Sequence, residues 1–344
     1  MRFWFILVSL LSTAVIARPA ELLQLDGLAL STHEIMKHLL LTILMLPSAG
    51  AHSNQASFYD CYGTSERFVI EGRVIKAENR TIATLGDRWY GNFWRNLRML
   101  NNAEQEGVKL SVKMGNYEAH TVTDEEGYFR LTLTPEQHPT PGWHPFIVRG
   151  ERALGEGRLL IVPKTNTVGV ISDIDDTVLV SDVLHKKKLL AHTFLRNAMQ
   201  RETFPGTADF YRRLLAQNPD PQSAPMFYVS ASPRQLTDNI SAFLTQNNFP
   251  EGVLVTKQIA GAGRDPLLNQ LQYKITKIEN IFKALPWVKY VLIGDDGELD
   301  PEAYRTLQEK YPQRVAAIYI RKVSHDPRRK TYAGQLDLAA ATQP

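Results

Sequence analysis

The 344-residue chain predicts two folded domains of different class: an antiparallel β-sandwich over residues 60–165 and an α/β domain over residues 166–330. Three observations carry this. From about Arg67 to Ile161, short runs alternate apolar with polar residues and are separated by turn signals. From Val168 the runs become apolar throughout and helical stretches lie between them, the grammar of a parallel sheet. The first of those apolar runs ends in three carboxylates, Asp173, Asp175 and Asp176, at the strand end where ligands of such sheets bind. A hydrophobic content of 44% with 22% charged residues is ordinary for globular domains, so disordered and fibrous classes are excluded.

Residues 1–51 are assigned to targeting. MRFWFILVSLLSTAVIARPA is signal-like. MKHLLLTILMLPSAGAHS, from Met36, is a better signal: Lys37 and His38 precede an apolar run, and Ala49-Gly50-Ala51 offers a small-residue cleavage site. Two signals in tandem make little sense, which leaves Met36 as an alternative start and about His52 as the mature N-terminus. Export is therefore expected. A membrane anchor formed by this segment is the alternative, although both apolar runs are short for a span. A single cysteine, Cys61, excludes an internal disulfide. The net charge of +3 gives no argument for a nucleic-acid partner.

Within the first domain, FVIEGRVIK and VKLSVKM alternate, TDEEGYFRLTLT supplies a turn and a strand, and PFIVRG and RLLIVP follow. Asp87–Gln105 breaks the pattern and reads as a helical excursion packed on the sandwich, with a membrane-surface helix as the alternative. In the second domain, strands are expected at GVIS, MFYVS, GVLVT, YVLIG and AAIYI. Ser232-Pro233 and Asp300-Pro301-Glu302 each read as a helix cap followed by a first-turn proline. Residues 331–344 are assigned to a C-terminal tail.

The strand ends carry the chemistry. Like charges placed together raise each other's pKa, so folding alone gives no reason for the aspartates at 173–176. Phosphoryl transfer through a covalent aspartyl phosphate does. Asp173 is the natural nucleophile. Asp175, two residues on, returns to the same side and can protonate the leaving group. Ser230 and Lys274, with Lys277 as the alternative lysine, are placed to bind phosphoryl oxygens, as is Thr177. Asp295, Asp173 and the backbone carbonyl of Asp175 can hold Mg²⁺, a hard ion that prefers oxygen. Asp296 and Asp300 follow as supporting carboxylates. A calcium loop is disfavoured, because Asp173 closes an apolar strand and the loop glycine is missing.

Asp173-X-Asp175-X-Thr177, Ser230, Lys274 and GDDGELD occur in the order of the four haloacid dehalogenase phosphatase motifs. DIDDTVLVSDVLHKKKLL, FYVSASPRQL and KIENIFKALP…VLIGDDGELDPEAY…AAIYIRKV resemble the catalytic domain of the actin-patch-associated phosphatidate phosphatase family. CYGTSERFVIEGRVI is similar to the opening of the β-domain that precedes it in bacterial relatives. The resemblance covers roughly residues 60–325. It implies a Rossmann-like parallel sheet of the haloacid dehalogenase type with a small helical cap. It also implies a Mg²⁺-dependent phosphatase with a phospholipid substrate such as phosphatidate, and a bacterial periplasmic location. Within that superfamily an aspartate at 175 implies hydrolysis.

Fewer than thirty residues separate the first motif from Phe204-Pro205-Gly206, so the cap is small and the site open, which suits a membrane-borne substrate. Lys186, Lys187 and Lys188 among leucines are candidate lipid contacts; a solvated helix face is the plain alternative. A soluble phosphomonoester substrate, or a non-catalytic lipid- or surface-binding role, remains open at this point.

Overall fold

The computed structural model describes residues 54–76, 106–151, 153–178, 203–234, 237–257 and 270–343. The targeting region, the Asp87–Gln105 stretch, and the cap with Lys186, Lys187 and Lys188 lie outside them. Among the described residues no helix is long and apolar enough to cross a membrane.

The first sheet is built from β1 (Asn54–Gly63), β2 (Phe68–Lys76), β3 (Lys109–Met114), β4 (Tyr117–Val122), β5 (Tyr128–Leu133), β6 (Gly142–Gly150) and β7 (Ala153–Ile161). They hydrogen-bond as one sheet in the order β4-β3-β6-β7-β1-β2-β5. Every neighbour pair is antiparallel except β1 and β7, which run parallel. The edge strands β4 and β5 lie against each other, so the sheet curls. Alternation works as expected on one face. Phe68, Ile70 and Val74 of β2 join Leu110, Val112, Phe146 and Leu159 in a core. The other face of β2 departs from the pattern: Glu71 and Arg73 are buried too.

The second sheet holds β8 (Val168–Ser172), β9 (Met226–Pro233), β10 (Val253–Lys257), β11 (Lys289–Asp295), β12 (Val315–Arg321) and β13 (Gln335–Asp337). All its pairings are parallel, in the order β10-β9-β8-β11-β12-β13. Both faces are covered, which is why these strands read as apolar throughout. Helices α3 (Gln270–Ala284) and α4 (Asp300–Lys310) pack on one face through Ile278, Ile281, Tyr304 and Leu307. Helices α1 (Thr207–Leu215), α2 (Thr237–Gln246) and the short α5 (Leu338–Ala341) pack on the other. Residues 331–344, read from sequence as a tail, supply the edge strand β13 and bury Leu338.

From β8 the chain runs outward through β9 and β10 in one direction, then through β11, β12 and β13 in the other. The order therefore reverses between β8 and β11, the place where open parallel sheets form a crevice. The two sheets are joined through a shared core. Leu160 and Val162, at the end of β7, pack with Ile171, Phe227 and Leu292. The Tyr62 ring meets Phe227 edge-on at 4.9 Å. Ser53–Pro344 is one compact unit.

One helix start is corrected. β9 continues through Pro233, and α2 begins at Thr237. Ser232 and Pro233 thus lie in a strand, and the Ser232 hydroxyl is turned to Asp175.

Candidate active site

β8 and β11 lie side by side in register, Ile293 opposite Ser172, so their C-terminal ends deliver Asp173 and Asp295 to one crevice. The Asp173 amide continues the ladder by donating to the Ile293 carbonyl at 2.8 Å. Beyond Asp173 the chain turns sharply. Asp176 sits in the left-handed region at φ 55°, a conformation uncommon outside glycine and tolerated best by Asp and Asn.

Asp173 is buried, and its Oδ1 accepts a hydrogen bond from Lys274 Nζ at 2.8 Å. Its Oδ2 is buried with no hydrogen-bond partner. Lys274 reaches it because Lys274, Ile278 and Ile281 share the inward stripe of α3. Lys274 also donates to Asp300 Oδ1. Of the two candidate lysines, Lys274 is therefore the one inside the crevice. Lys277 lies with its Nζ 6.0 Å from the centre of the Tyr273 ring.

Asp300 was read from sequence as a helix cap. In the structure Leu299 is the capping residue of α4, and Asp300 lies inside the helix on the buried stripe with Ala303, Tyr304 and Leu307. Its Oδ2 accepts the Asp295 amide at 3.3 Å. Gly294 makes room for this: a Cβ there would stand 2.2 Å from Asp300 Oδ2. The i, i+3, i+4, i+7 pattern from Asp300 was available in the sequence and would have placed it inward.

Asp295 is fully buried. Its Oδ1 accepts the amides of Gly297 and Glu298 at 2.7 and 3.2 Å, and its Oδ2 accepts from Thr177 Oγ1 at 3.4 Å. Thr177, a candidate phosphate contact, is thus turned toward Asp295. Asp296 points elsewhere: its Oδ1 accepts the amides of Val323 and Ser324, both at 2.7 Å, fixing the loop after β12.

Asp175 is half-buried and stands apart from the acidic cluster. Its Oδ2 accepts from Ser232 Oγ at 3.0 Å and, at the limit of bonding, from Ser230 Oγ at 3.5 Å. Ser230 Oγ also accepts the Ser232 amide at 2.9 Å. Both serines of the β9 edge therefore orient Asp175, including the one expected to cap a helix.

Of three buried carboxylates, two, Asp173 and Asp300, contact the Lys274 ammonium. Asp173, Asp295 and Asp300 can bring one oxygen each within 4.8 Å of one another. Burial is the largest effect on each and raises its pKa. For Asp173, Lys274 works against this while Asp300 and Asp295 add to it, and the group stays well above the ordinary carboxylate range. Asp295 is also pushed well above it, by burial and then by Asp300. On Lys274 burial acts downward, but Asp173 and Asp300 outweigh it and hold the ammonium charged. The donor set fits a divalent cation: oxygen ligands only, excess negative charge, and the unpartnered Asp173 Oδ2. With Asp300 engaged by Lys274 and by the Asp295 amide, Asp173 and Asp295 are the carboxylates best placed to hold one.

One residue of this edge was missed from sequence. Arg321 ends β12, buried, with Nη2 donating to Thr207 Oγ1 at 2.9 Å and its guanidinium 3.8 Å from the centre of the Phe204 ring. A charged residue closing an apolar strand was its signal.

Comparison with known proteins agrees with this geometry. Residues 168–322 match the family described as phosphatidate phosphatase APP1, catalytic domain. Over this span the chain is similar to that family. The match begins at β8, ends just after β12, and includes Asp173, Asp175, Ser230, Lys274, Asp295 and Asp300. The chain is 33% identical over 159 residues to phosphatidate phosphatase APP1 of Saccharomyces cerevisiae, a match covering 46% of this chain and 26% of that protein. It is 30% identical over 162 residues to an uncharacterized protein of Schizosaccharomyces pombe, covering 47% and 26%. The chain thus spans about a quarter of the length of these relatives. Among solved structures, a carbohydrate acetylesterase of Xanthomonas citri aligns over 78% of this chain and 68% of its own, at 10% identity and a TM-score of 0.28, too distant to bear on fold or function.

Proposed function

We propose that the protein is a Mg²⁺-dependent phosphatase that hydrolyses phosphatidate or a related phospholipid monoester through an aspartyl phosphate on Asp173. The observation that carries this is the pairing of Asp173, buried against Lys274 with one oxygen unpartnered, with Asp175, held apart on the β9 serines. Two carboxylates two residues apart have been given different environments, the condition for a nucleophile and an acid–base group to coexist. The family match over residues 168–322 supports the substrate class.

Lys274 donates to Asp173 Oδ1 and so orients the carboxylate in the crevice. Asp173 forms a bond to phosphorus as the ester P–O bond breaks, and Asp175 gives its proton to the departing alkoxide. Water then attacks the phosphorus, Asp175 takes its proton, and the acyl–phosphate bond breaks to free phosphate and restore Asp173. Lys274 and the Ser230 hydroxyl offset charge on the phosphoryl oxygens. A cation at Asp173 and Asp295 would shield the nucleophile from the anionic substrate and polarise the phosphoryl group. The parallel sheet is read as the haloacid dehalogenase type, the curled sheet as a β-sandwich domain, and the location as a bacterial periplasm.

The test is phosphate release from phosphatidate in mixed micelles, with Mg²⁺ and with EDTA, beside an aryl phosphate. Mg²⁺-dependent release from the lipid supports the whole reading. Release from the aryl phosphate alone keeps the chemistry and discards the lipid. Release from neither discards both.

A further inference from the structure

We propose that the β-sheet domain holds the catalytic edge in place through Arg234, a positioning residue gripped by Glu71. Arg234 follows β9 directly, four residues after Ser230 and two after Ser232, the serines that carry Asp175. Its guanidinium leaves the α/β domain. Nη2 stands 2.6 Å from Glu71 Oε1 on β2, and the group lies 4.7 Å from the centre of the Tyr59 ring and 5.3 Å from that of Tyr128. Nε donates to the Thr256 carbonyl of β10 at 3.3 Å. The second oxygen of Glu71 takes Nη1 of Arg130, on β5, at 2.7 Å. Arg234 is 2% exposed and Glu71 8%.

A buried ion pair is a poor way to gain stability, because apolar residues of similar volume do as well or better. What a guanidinium–carboxylate contact between aromatic rings adds is direction: a planar fork accepts few orientations. This explains why β2 breaks its alternation by burying Glu71. The segment Ser230–Arg234 is anchored in β9 at one end and in the β-sheet domain at the other, with the Ser232–Asp175 bond between. Releasing Arg234 lets Ser232 move and misaims Asp175. Asp173, Lys274 and Asp295 rest on β8, α3 and β11, so cation binding does not depend on this anchor, and substrate binding depends on it only through the Ser230 hydroxyl. The β-sheet domain is thereby part of the catalytic apparatus, acting through one arginine.

The test uses the full chain with Glu71→Gln, Arg234→Gln, the double variant and Arg234→Lys, which keeps the charge, loses the fork and serves if the others do not fold. Amide exchange over residues 226–234 is expected to quicken about tenfold or more while residues 289–295 exchange as in the parent. The kinetic arm rests on the phosphatase reading. There kcat is expected to fall about tenfold or more with KM within about twofold, and the double variant to lose no more than the worse single variant, as for residues acting through each other. Unchanged exchange over 226–234, or equal quickening over 289–295, would overturn the proposal. If the parent turns over no phosphomonoester, the phosphatase reading fails, and the exchange result alone decides this one.

Discussion

Lys274 Nζ lies 2.8 Å from Asp173 Oδ1, joining residues 101 apart in the chain, and both side chains are almost wholly buried. The same ammonium holds Asp300. Removing it should leave three buried carboxylates without a counter-charge. Lys274→Met is expected to abolish turnover and to cost roughly 3–5 kcal/mol, the range for breaking a buried ion pair from one side. Urea denaturation at neutral pH in EDTA measures this. A cost below about 1 kcal/mol would show that the cluster does not need its lysine.

Asp175 stands outside the acidic cluster, so its loss should separate chemistry from cation binding. Asp175→Asn keeps the Ser232 contact and is expected to lower kcat by about 10²–10⁴. The Mg²⁺ affinity, read by titration calorimetry, should stay within about threefold of the parent, since the standing carboxylates are Asp173 and Asp295. A large fall in affinity would place the Asp175 side chain, and not only its backbone carbonyl, among the ligands.

Gly294 tests the packing that lets Asp300 approach. An alanine there would place its Cβ 2.2 Å from Asp300 Oδ2 and 2.7 Å from Asp300 Cβ, so Asp300 would have to shift. Gly294→Ala is expected to cost about 1–3 kcal/mol by overcrowding and to lower activity as Asp300 shifts on Lys274. Thermal melting and turnover, measured together, check it.

The pH dependence follows from the raised carboxylates. Unfolded aspartate titrates near 3.9; Asp173, Asp295 and Asp300 titrate higher when folded because burial disfavours their charge. Groups raised on folding add stability that is complete below the unfolded value and is lost as pH rises through the folded value. The cation-free protein should therefore carry its greatest electrostatic burden at neutral pH, and Mg²⁺ should raise its melting temperature more at pH 7.5 than at pH 5. Melting curves with Mg²⁺ and with EDTA at both values decide this. An equal or larger shift at pH 5 would contradict it.

Much of this site could be read from sequence because it sits on strand ends. Apolar runs such as GVIS and YVLIG fix where a strand stops, and parallel strands bring all such ends to one edge. Asp173, Ser230 and Asp295 were placed that way, and helix periodicity supports Lys274. What escaped was set by tertiary contact. Ser232-Pro233 has the chemistry of a helix cap, but β9 extends through it, with Pro233 opposite Lys257 of β10. Asp300-Pro301-Glu302 also reads as a cap, yet the buried stripe of α4 turns Asp300 toward Lys274. Glu71 alternates as a solvent-facing residue and is buried against Arg234, which follows β9, and no local pattern announces this.

The proposed mechanism requires a phosphoryl group carried on Asp173. Acid quenching during turnover of a radiolabelled aryl phosphate with Mg²⁺, followed by peptide mapping, tests it most directly. The expected result is label on the peptide containing Asp173, sensitive to hydroxylamine as an acyl phosphate is, and absent from Asp173→Asn. Turnover by the parent with no trapped label, or turnover retained by Asp173→Asn, would contradict it.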